Sequence, residues 1–157
     1  MRWSRYLIAL AALISIALAE PAPNPVHWSC QAPQRPLRSG ATFTVKLLAR
    51  IDPGWHLYGL EQDEGGPFPA KISLADDAIL RLGSVHASKP IEFFDTNFDK
   101  RVRLYVDKAE FSLPLTVLRS AKTGPQHASI HVRYQCCNDT MCLSPKDVSV
   151  DLPLKLK

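Results

Sequence analysis

Beyond its first nineteen residues the chain has no long apolar run, no stretch of helical periodicity, no internal repeat and no low-complexity tract. Without a second apolar segment of roughly 20 residues, no membrane span is expected downstream of the start. Without sustained i, i+3, i+4 spacing, a helical architecture is not expected either. A strong charge of one sign is also lacking. The formal net charge is +4 over 157 residues, and losing Arg2 and Arg5 with a leader would leave about +2. Nothing in that balance points to nucleic acid or to an anionic membrane. The cysteines supply one C-x4-C pair, Cys137 and Cys142, and not the two C-x2-4-C pairs of common zinc sites, so a zinc framework is not the expectation.

What is present begins with a leader. Met1, Arg2, Trp3, Ser4 and Arg5 precede an apolar stretch from Tyr6 to Leu18, with Ala17, Leu18 and Ala19 forming a small-x-small triplet before Glu20. This is the pattern of a secretory signal peptide over residues 1–19, cleaved after Ala19. The first cysteine, Cys30, follows His27, Trp28 and Ser29, which argues against a lipoprotein anchor. Residues 20–157 then form one domain with one hydrophobic core, soluble and not inserted into a membrane. Export makes Cys30, Cys136, Cys137 and Cys142 disulfide candidates first, because disulfides persist in oxidising compartments.

The rest reads as strands and turns. Prolines at 21, 23, 25, 33 and 36 forbid helix in an extended lead-in, where only Val26 to Cys30 reads as a strand. Phe43, Val45, Leu47, Ala49 and Ile51 alternate, Asp52-Pro53-Gly54 turns the chain, and Trp55 to Tyr58 is a short aromatic strand. A loop from Glu61 to Pro69 follows. Ile72 and Leu74, then Ile79 and Leu82, suggest two more strands around a turn at Asp76 and Asp77. From Val85 to Lys100 no period holds, so a loop is expected there despite Ile91, Phe93, Phe94 and Phe98. Val102, Leu104 and Val106, then Phe111, Leu113, Leu115 and Val117, read as two antiparallel strands. A turn at Thr123-Gly124-Pro125 precedes Ile130, Val132 and Tyr134, and Val148 to Leu156 alternates clearly, with Pro153 favouring an edge position. Many short strands separated by turns predict a sandwich of two antiparallel sheets.

The informative segment runs from Tyr134 to Pro145. If a strand ends at Cys137 and returns at Cys142, four residues connect them, a common hairpin loop built around a type I turn that Asn138 and Asp139 suit. The two cysteines then face each other with Cα atoms about 4.5 to 5.5 Å apart, within disulfide range. Cys136 points to the other face, since successive strand side chains alternate. There it either meets Cys30 in a second disulfide or both remain thiols. An inert staple is the competing reading of Cys137 and Cys142. So small a loop gains less than the roughly 3 kcal/mol expected of a 15-residue loop. An exposed hairpin end, by contrast, is open to attack by an incoming thiolate.

Three segments carry a resemblance to a known family, the amino-terminal domain of DsbD. Tyr134, Gln135, Cys136, Cys137, Cys142 and Pro145 resemble its Tyr-Gln-small-Cys, short loop, Cys-apolar-Pro pattern; Cys136 departs from it, standing where the family has a small residue. Gly54, Trp55, His56, Leu57 and Tyr58 are similar to its Gly-aromatic-x-Leu-Tyr, and Ile91 to Asp95 to its cap loop. The resemblance spans residues 25–157. It implies an all-β, immunoglobulin-like antiparallel β-sandwich in the periplasm, acting as a thiol:disulfide oxidoreductase without a cofactor. Cys137 and Cys142 would be the redox pair, with Cys142 joining partners and Cys137 resolving. Tyr58 would line the site, and His56, in place of a tyrosine, would either hold positive charge near a thiolate or lie solvated on the surface. Phe93, with Phe94 beside it, would cap the disulfide, and Glu92 would disfavour the thiolate.

The implied partners are a membrane-embedded thiol transporter or thioredoxin-like electron donor on one side and periplasmic disulfide-containing clients on the other. Because the chain stops at Lys157, without transmembrane helices or a thioredoxin-like domain, a free-standing module is expected. Two rivals use the same residues. Cys136, Cys137, Met141, Cys142 and His56 offer sulfur and imidazole to Cu(I); alternatively, the chain is a non-catalytic adhesion or structural sandwich.

Overall fold

The computed structural model describes residues 23–75 and 79–157. The leader at 1–19 and the turn at Asp76 and Asp77 lie outside the described residues. The strands are β1 (Val26–Cys30), β2 (Thr42–Ile51), β3 (His56–Tyr58), β4 (Lys71–Leu74), β5 (Leu80–Leu82), β6 (His86–Ala87), β7 (Ile91–Asp95), β8 (Lys100–Tyr105), β9 (Lys108–Val117), β10 (Gly124–Tyr134), β11 (Cys136–Cys137) and β12 (Lys146–Leu156). No helix occurs among the described residues. The fold is the all-β, immunoglobulin-like antiparallel sandwich that the alternating pattern and the resemblance predict.

One layer is the sheet β1-β2-β9-β5, with β6 also paired to β9. The other layer is divided. The sheet β12-β10-β4 and the sheet β11-β3-β8-β7 lie in sequence along it, so three hydrogen-bonded sheets stand where two were expected. The core shows why the pattern of alternation was readable. Val45, Leu47, Ala49 and Ile51 from β2 and Phe111, Leu113, Leu115 and Val117 from β9 face Ile130, Val132, Tyr134, Leu152, Leu154 and Leu156 from β10 and β12. Every second residue on each of these strands is removed from water. Pro114, inside β9, sits where the neighbouring strand is interrupted between β5 and β6, so its missing N–H breaks no ladder. Pro153 lies on β12, an edge strand, as its position in the alternation predicts.

Four expectations are revised. The segment after Val85 is not a loop: β7 and β8 form a hairpin in register Ile91↔Leu104 to Asp95↔Lys100. Its period is hidden because large apolar residues fall on both faces. Second, β8 and β9 are consecutive but belong to different sheets, since Asp107, at φ 61°, turns the chain between them. Third, Gly124 and Pro125 begin β10 rather than forming a turn before it. Fourth, the strand leading to the cysteines breaks at Gln135: β10 ends at Tyr134, and Cys136 and Cys137 pair with β3 in the other sheet.

Candidate functional site

The break at Gln135 carries the chain from one sheet into the next and is held by polar contacts. The Gln135 carbonyl accepts from the Tyr58 N–H at 3.3 Å. Its side-chain amide accepts from the Phe68 N–H at 2.9 Å and donates to the Leu143 carbonyl at 3.2 Å. Backbone and side chain of one buried residue thus tie β3, the 61–69 loop and the chain returning after Cys142 together. The connection between the cysteines is the four-residue turn expected. The Asn138 Oδ1 accepts from the Thr140 and Met141 N–H groups at 2.9 and 2.8 Å, and the Asn138 N–H donates to the Met141 carbonyl at 2.9 Å.

Cys137 and Cys142 form a disulfide across this turn, with Cα atoms 4.1 Å apart, closer than the range expected from an ideal ladder. The two sulfurs differ in access. Cys137 is 0% exposed, whereas Cys142 belongs to the exposed residues of the loop.

Cross-strand register places the surrounding side chains. His56 pairs directly with Cys137, and Tyr58 pairs with Leu104. Residues directly opposite share a face, as do residues two apart along a strand. His56, Tyr58, Val102, Leu104, Phe93 and Asp95 therefore lie on the Cys137 face of the sheet. Tyr58, Val102, Leu104 and Cys137 are buried together there, with Phe98 packed against them. Cys136, Leu57 and Tyr105 lie on the opposite face and belong to the main core.

A polar network runs beneath the disulfide. The Tyr58 hydroxyl donates to the Asp95 Oδ2 at 2.5 Å, and the His56 Nε2 lies 3.2 Å from the Tyr58 oxygen and 3.8 Å from the Asp95 Oδ2. Asp95 is 2% exposed, and its Oδ1 accepts the Asn97 N–H at 2.8 Å. Burial lowers the His56 pKa below its ordinary 6.5, while the Asp95 and Asp139 carboxylates pull it back up. Burial and the hydrogen bond to Asp95 raise the Tyr58 pKa, so its hydroxyl stays protonated.

The sequence-predicted residues are brought together unequally. Cys137, Cys142, His56, Tyr58 and Phe93 converge on one face. Glu92 does not: it pairs with Arg103 on the opposite face and is exposed, so alternation removes it from the sulfurs. Phe94 shares that opposite face, opposite Arg101. Phe93 and Phe94 keep 51% and 50% of their surface exposed, against the expectation that covering a disulfide would bury them. The His56 side chain is 12% exposed, so it is not a solvated surface group, and burial disfavours its charged form.

Of the two alternatives for Cys30 and Cys136, a second disulfide or two thiols, the structure has the second. The Cys30 Sγ donates to the Asp151 carbonyl at 3.3 Å on β12, while Cys136 is enclosed in the main core, where burial pushes its pKa from 9.0 up to about 11. The five residues weighed as copper ligands do not converge either, since Cys136 faces away from Cys137. Among the described residues, no group of three or more His, Cys, Asp or Glu side chains is arranged to hold a metal ion.

Three residues of the site carried no assigned role in the sequence reading: Asp95, Phe98 and Gln135. Asp95 and Phe98 had a signal, because Asp95 to Lys100 is rich in Asp and Asn between two apolar runs, a hairpin pattern. Gln135 had none beyond its place before the cysteines.

Compared with known proteins, residues 29–154 match the family model described as thiol:disulfide interchange protein DsbD, N-terminal. The chain is similar to the crystal structure of the reduced N-terminal domain of DsbD from Neisseria meningitidis, at 25% identity and TM-score 0.50, covering 74% of this chain and 78% of that one. It also shares its fold with the N-terminal periplasmic domain of ScsB from Proteus mirabilis, at 19% identity and TM-score 0.57, covering 86% of this chain and about half (49%) of that one. No curated protein sequence matches the chain. No helix among the described residues is long and apolar enough to cross a membrane.

Proposed function

The chain belongs to the family of the N-terminal domain of the thiol:disulfide interchange protein DsbD, and from that premise we propose that Cys137 and Cys142 are the dithiol through which it passes electrons to periplasmic client proteins. The family makes it a thiol-disulfide redox module acting with partner proteins. The finer reading is that residues 1–19 direct export and are removed, that residues 20–157 act as one domain, and that a membrane thiol transporter or thioredoxin-like protein re-reduces the pair. Cys142 is the sulfur that joins partners and Cys137 the one that resolves.

The observation that carries this reading is the unequal access of the two sulfurs. An incoming or departing protein thiol needs a trajectory to the sulfur it bonds, and Cys142 is exposed while Cys137 is enclosed. Phe93, on the same face and half exposed, is the side chain we assign as the cover that moves when a partner arrives. An inert staple does not call for an accessible sulfur on a separate, polar-lined face of the sheet.

The test is trapping. Reduced Cys137→Ala protein should accumulate a mixed disulfide with a disulfide-containing client, whereas Cys142→Ala protein should form none, and neither should reduce the client above the uncatalysed background. Client reduction by either variant at the wild-type rate would sink the proposal. Mixed disulfides through Cys137 alone would reverse the two roles.

A further inference from the structure

Resolving a mixed disulfide requires Cys137 to lose a proton at a position closed to water, and the pairing across β3 and β11 places His56 beside it. From this geometry we infer that His56 is the proton acceptor for Cys137, held in its working tautomer and balanced in charge by Tyr58 and Asp95. This inference rests on the electron-relay reading above and adds a residue to it.

The hydrogen bonds assign the tautomer. Because the Tyr58 hydroxyl proton is directed to the Asp95 Oδ2, the Tyr58 oxygen is left to accept, and the His56 Nε2 at 3.2 Å must be the donor. The Nδ1 is then the basic nitrogen. When it takes a proton, the new positive charge lies near a carboxylate that is 2% exposed, whose hydrogen-bond partners, the Tyr58 hydroxyl and the Asn97 N–H, are neutral. The Nε2 to Asp95 Oδ2 distance of 3.8 Å is short enough for that pairing to matter inside a water-poor cluster. The arrangement follows the logic of a sulfur, a base and an orienting acid, with a phenol inserted between the last two. The titratable groups facing His56 are Tyr58 on its own strand, Asp95 on the β7–β8 hairpin, Asp139 in the cysteine turn and the Cys137 sulfur.

The exchange balances as follows. The Cys142 thiolate, its proton given to solvent, attacks one sulfur of the client disulfide, forming a Cys142–client bond and releasing the other client sulfur, which takes a proton from solvent. Cys137 passes its proton to His56, and the resulting thiolate attacks the Cys142 sulfur. The Cys137–Cys142 bond forms, the Cys142–client bond breaks, and the departing client thiolate takes the proton from the imidazolium. The client gains two electrons and two protons; the cysteine pair loses the same. Protonation of the imidazole removes the acceptor, so resolution slows as pH falls, and burial, by lowering the His56 pKa, moves that loss to lower pH.

The experiment separates attack from resolution, with oxidised glutathione as the probe disulfide. In stopped-flow measurements on reduced protein at pH 7, His56→Gln should slow resolution of the Cys142–glutathione disulfide by about 100-fold, the low end for a positioned general base. The attack step, followed in a Cys137→Ser background, should change less than about twofold. The wild-type resolution rate should fall below the His56 pKa, and Asp95→Asn should move that inflection to lower pH, because the Asp95 carboxylate raises the His56 pKa. Resolution by His56→Gln at the wild-type rate and with the wild-type pH profile overturns the inference. If His56→Gln does not fold, an unmoved inflection in Asp95→Asn overturns it instead. Absence of any Cys142–glutathione adduct in the Cys137→Ser background counts against the electron-relay reading itself, whereas an adduct with unaltered resolution counts against His56 alone.

Discussion

Cys136 and Cys137 are neighbours in the chain, yet they stand in different regions of the molecule. Cys136 faces the main core, among Leu57, Tyr105 and Tyr134, where desolvation keeps it a thiol. Cys137 faces the reverse of the same sheet, in a small cluster with Tyr58, Val102, Leu104 and Phe98 that also encloses Asp95 and His56. Neither cysteine is itself exposed; the difference lies in what surrounds each of them. The core surrounds Cys136 with apolar side chains and tyrosine rings, and burial there holds it as a thiol. The second cluster offers a disulfide partner at the surface, a carboxylate and an imidazole, and so makes chemistry available on a face apart from the main core.

The comparison can be tested by breaking each side of it. Phe111→Ala, in the core, should cost about 3 to 5 kcal/mol in denaturant unfolding, the usual range for a buried Phe truncation, while leaving the redox titration of the Cys137–Cys142 pair where it was. A shift of that titration would show that the two regions are coupled. On the other side, Tyr58→Phe removes the donor to Asp95 and leaves a buried carboxylate short of a partner, a loss of about 1 to 3 kcal/mol measurable in the same way. Unchanged stability would mean that Asp95 finds another donor.

Alkaline titration gives a smaller effect that belongs to Cys136. Its folded pKa, about 11, is raised above the ordinary 9.0 of the unfolded chain, so the unfolded state loses its proton first. Stability should therefore be fully retained below pH 9 and decline as pH rises toward about 11. Cys136→Ala should flatten the early part of that decline, before the buried tyrosines contribute. Native Cys136 should also resist alkylation at pH 8 under conditions that modify reduced Cys142 within minutes. Equal labelling of the two would contradict the enclosure of Cys136. The smallest change in stability should come from Phe93→Ala, within about 0.5 kcal/mol because half the ring is already in water. Its reduced Cys142 should nevertheless alkylate faster than wild type, and an unchanged rate would remove Phe93 as the cover.

How far the sequence could be read depends on how local each feature is. Strand faces such as Val45, Leu47, Ala49 and Ile51 announce themselves because alternation is a property of five consecutive residues. The β7–β8 hairpin did not, because Phe93 and Phe94 place large apolar groups on both faces and cancel the period. The resemblance of Ile91 to Asp95 to a cap loop points to Glu92 as the acid of the site, but successive strand residues face opposite ways and Glu92 lies on the wrong side. Asp95, two residues beyond Phe93, is the acid that shares the face.

By itself the sequence determined that the chain alternates into strands, that four residues separate two cysteines able to bond, and that the neighbouring cysteine must face away. All three follow from the geometry of a few consecutive residues. Which sulfur meets solvent, which carboxylate lies beneath the imidazole, and whether Cys30 has a partner were decided only by the tertiary structure. Those properties depend on the register of β3, β7, β8 and β11, segments far apart in the chain, and on burial, which belongs to the assembled sheets and not to any one strand.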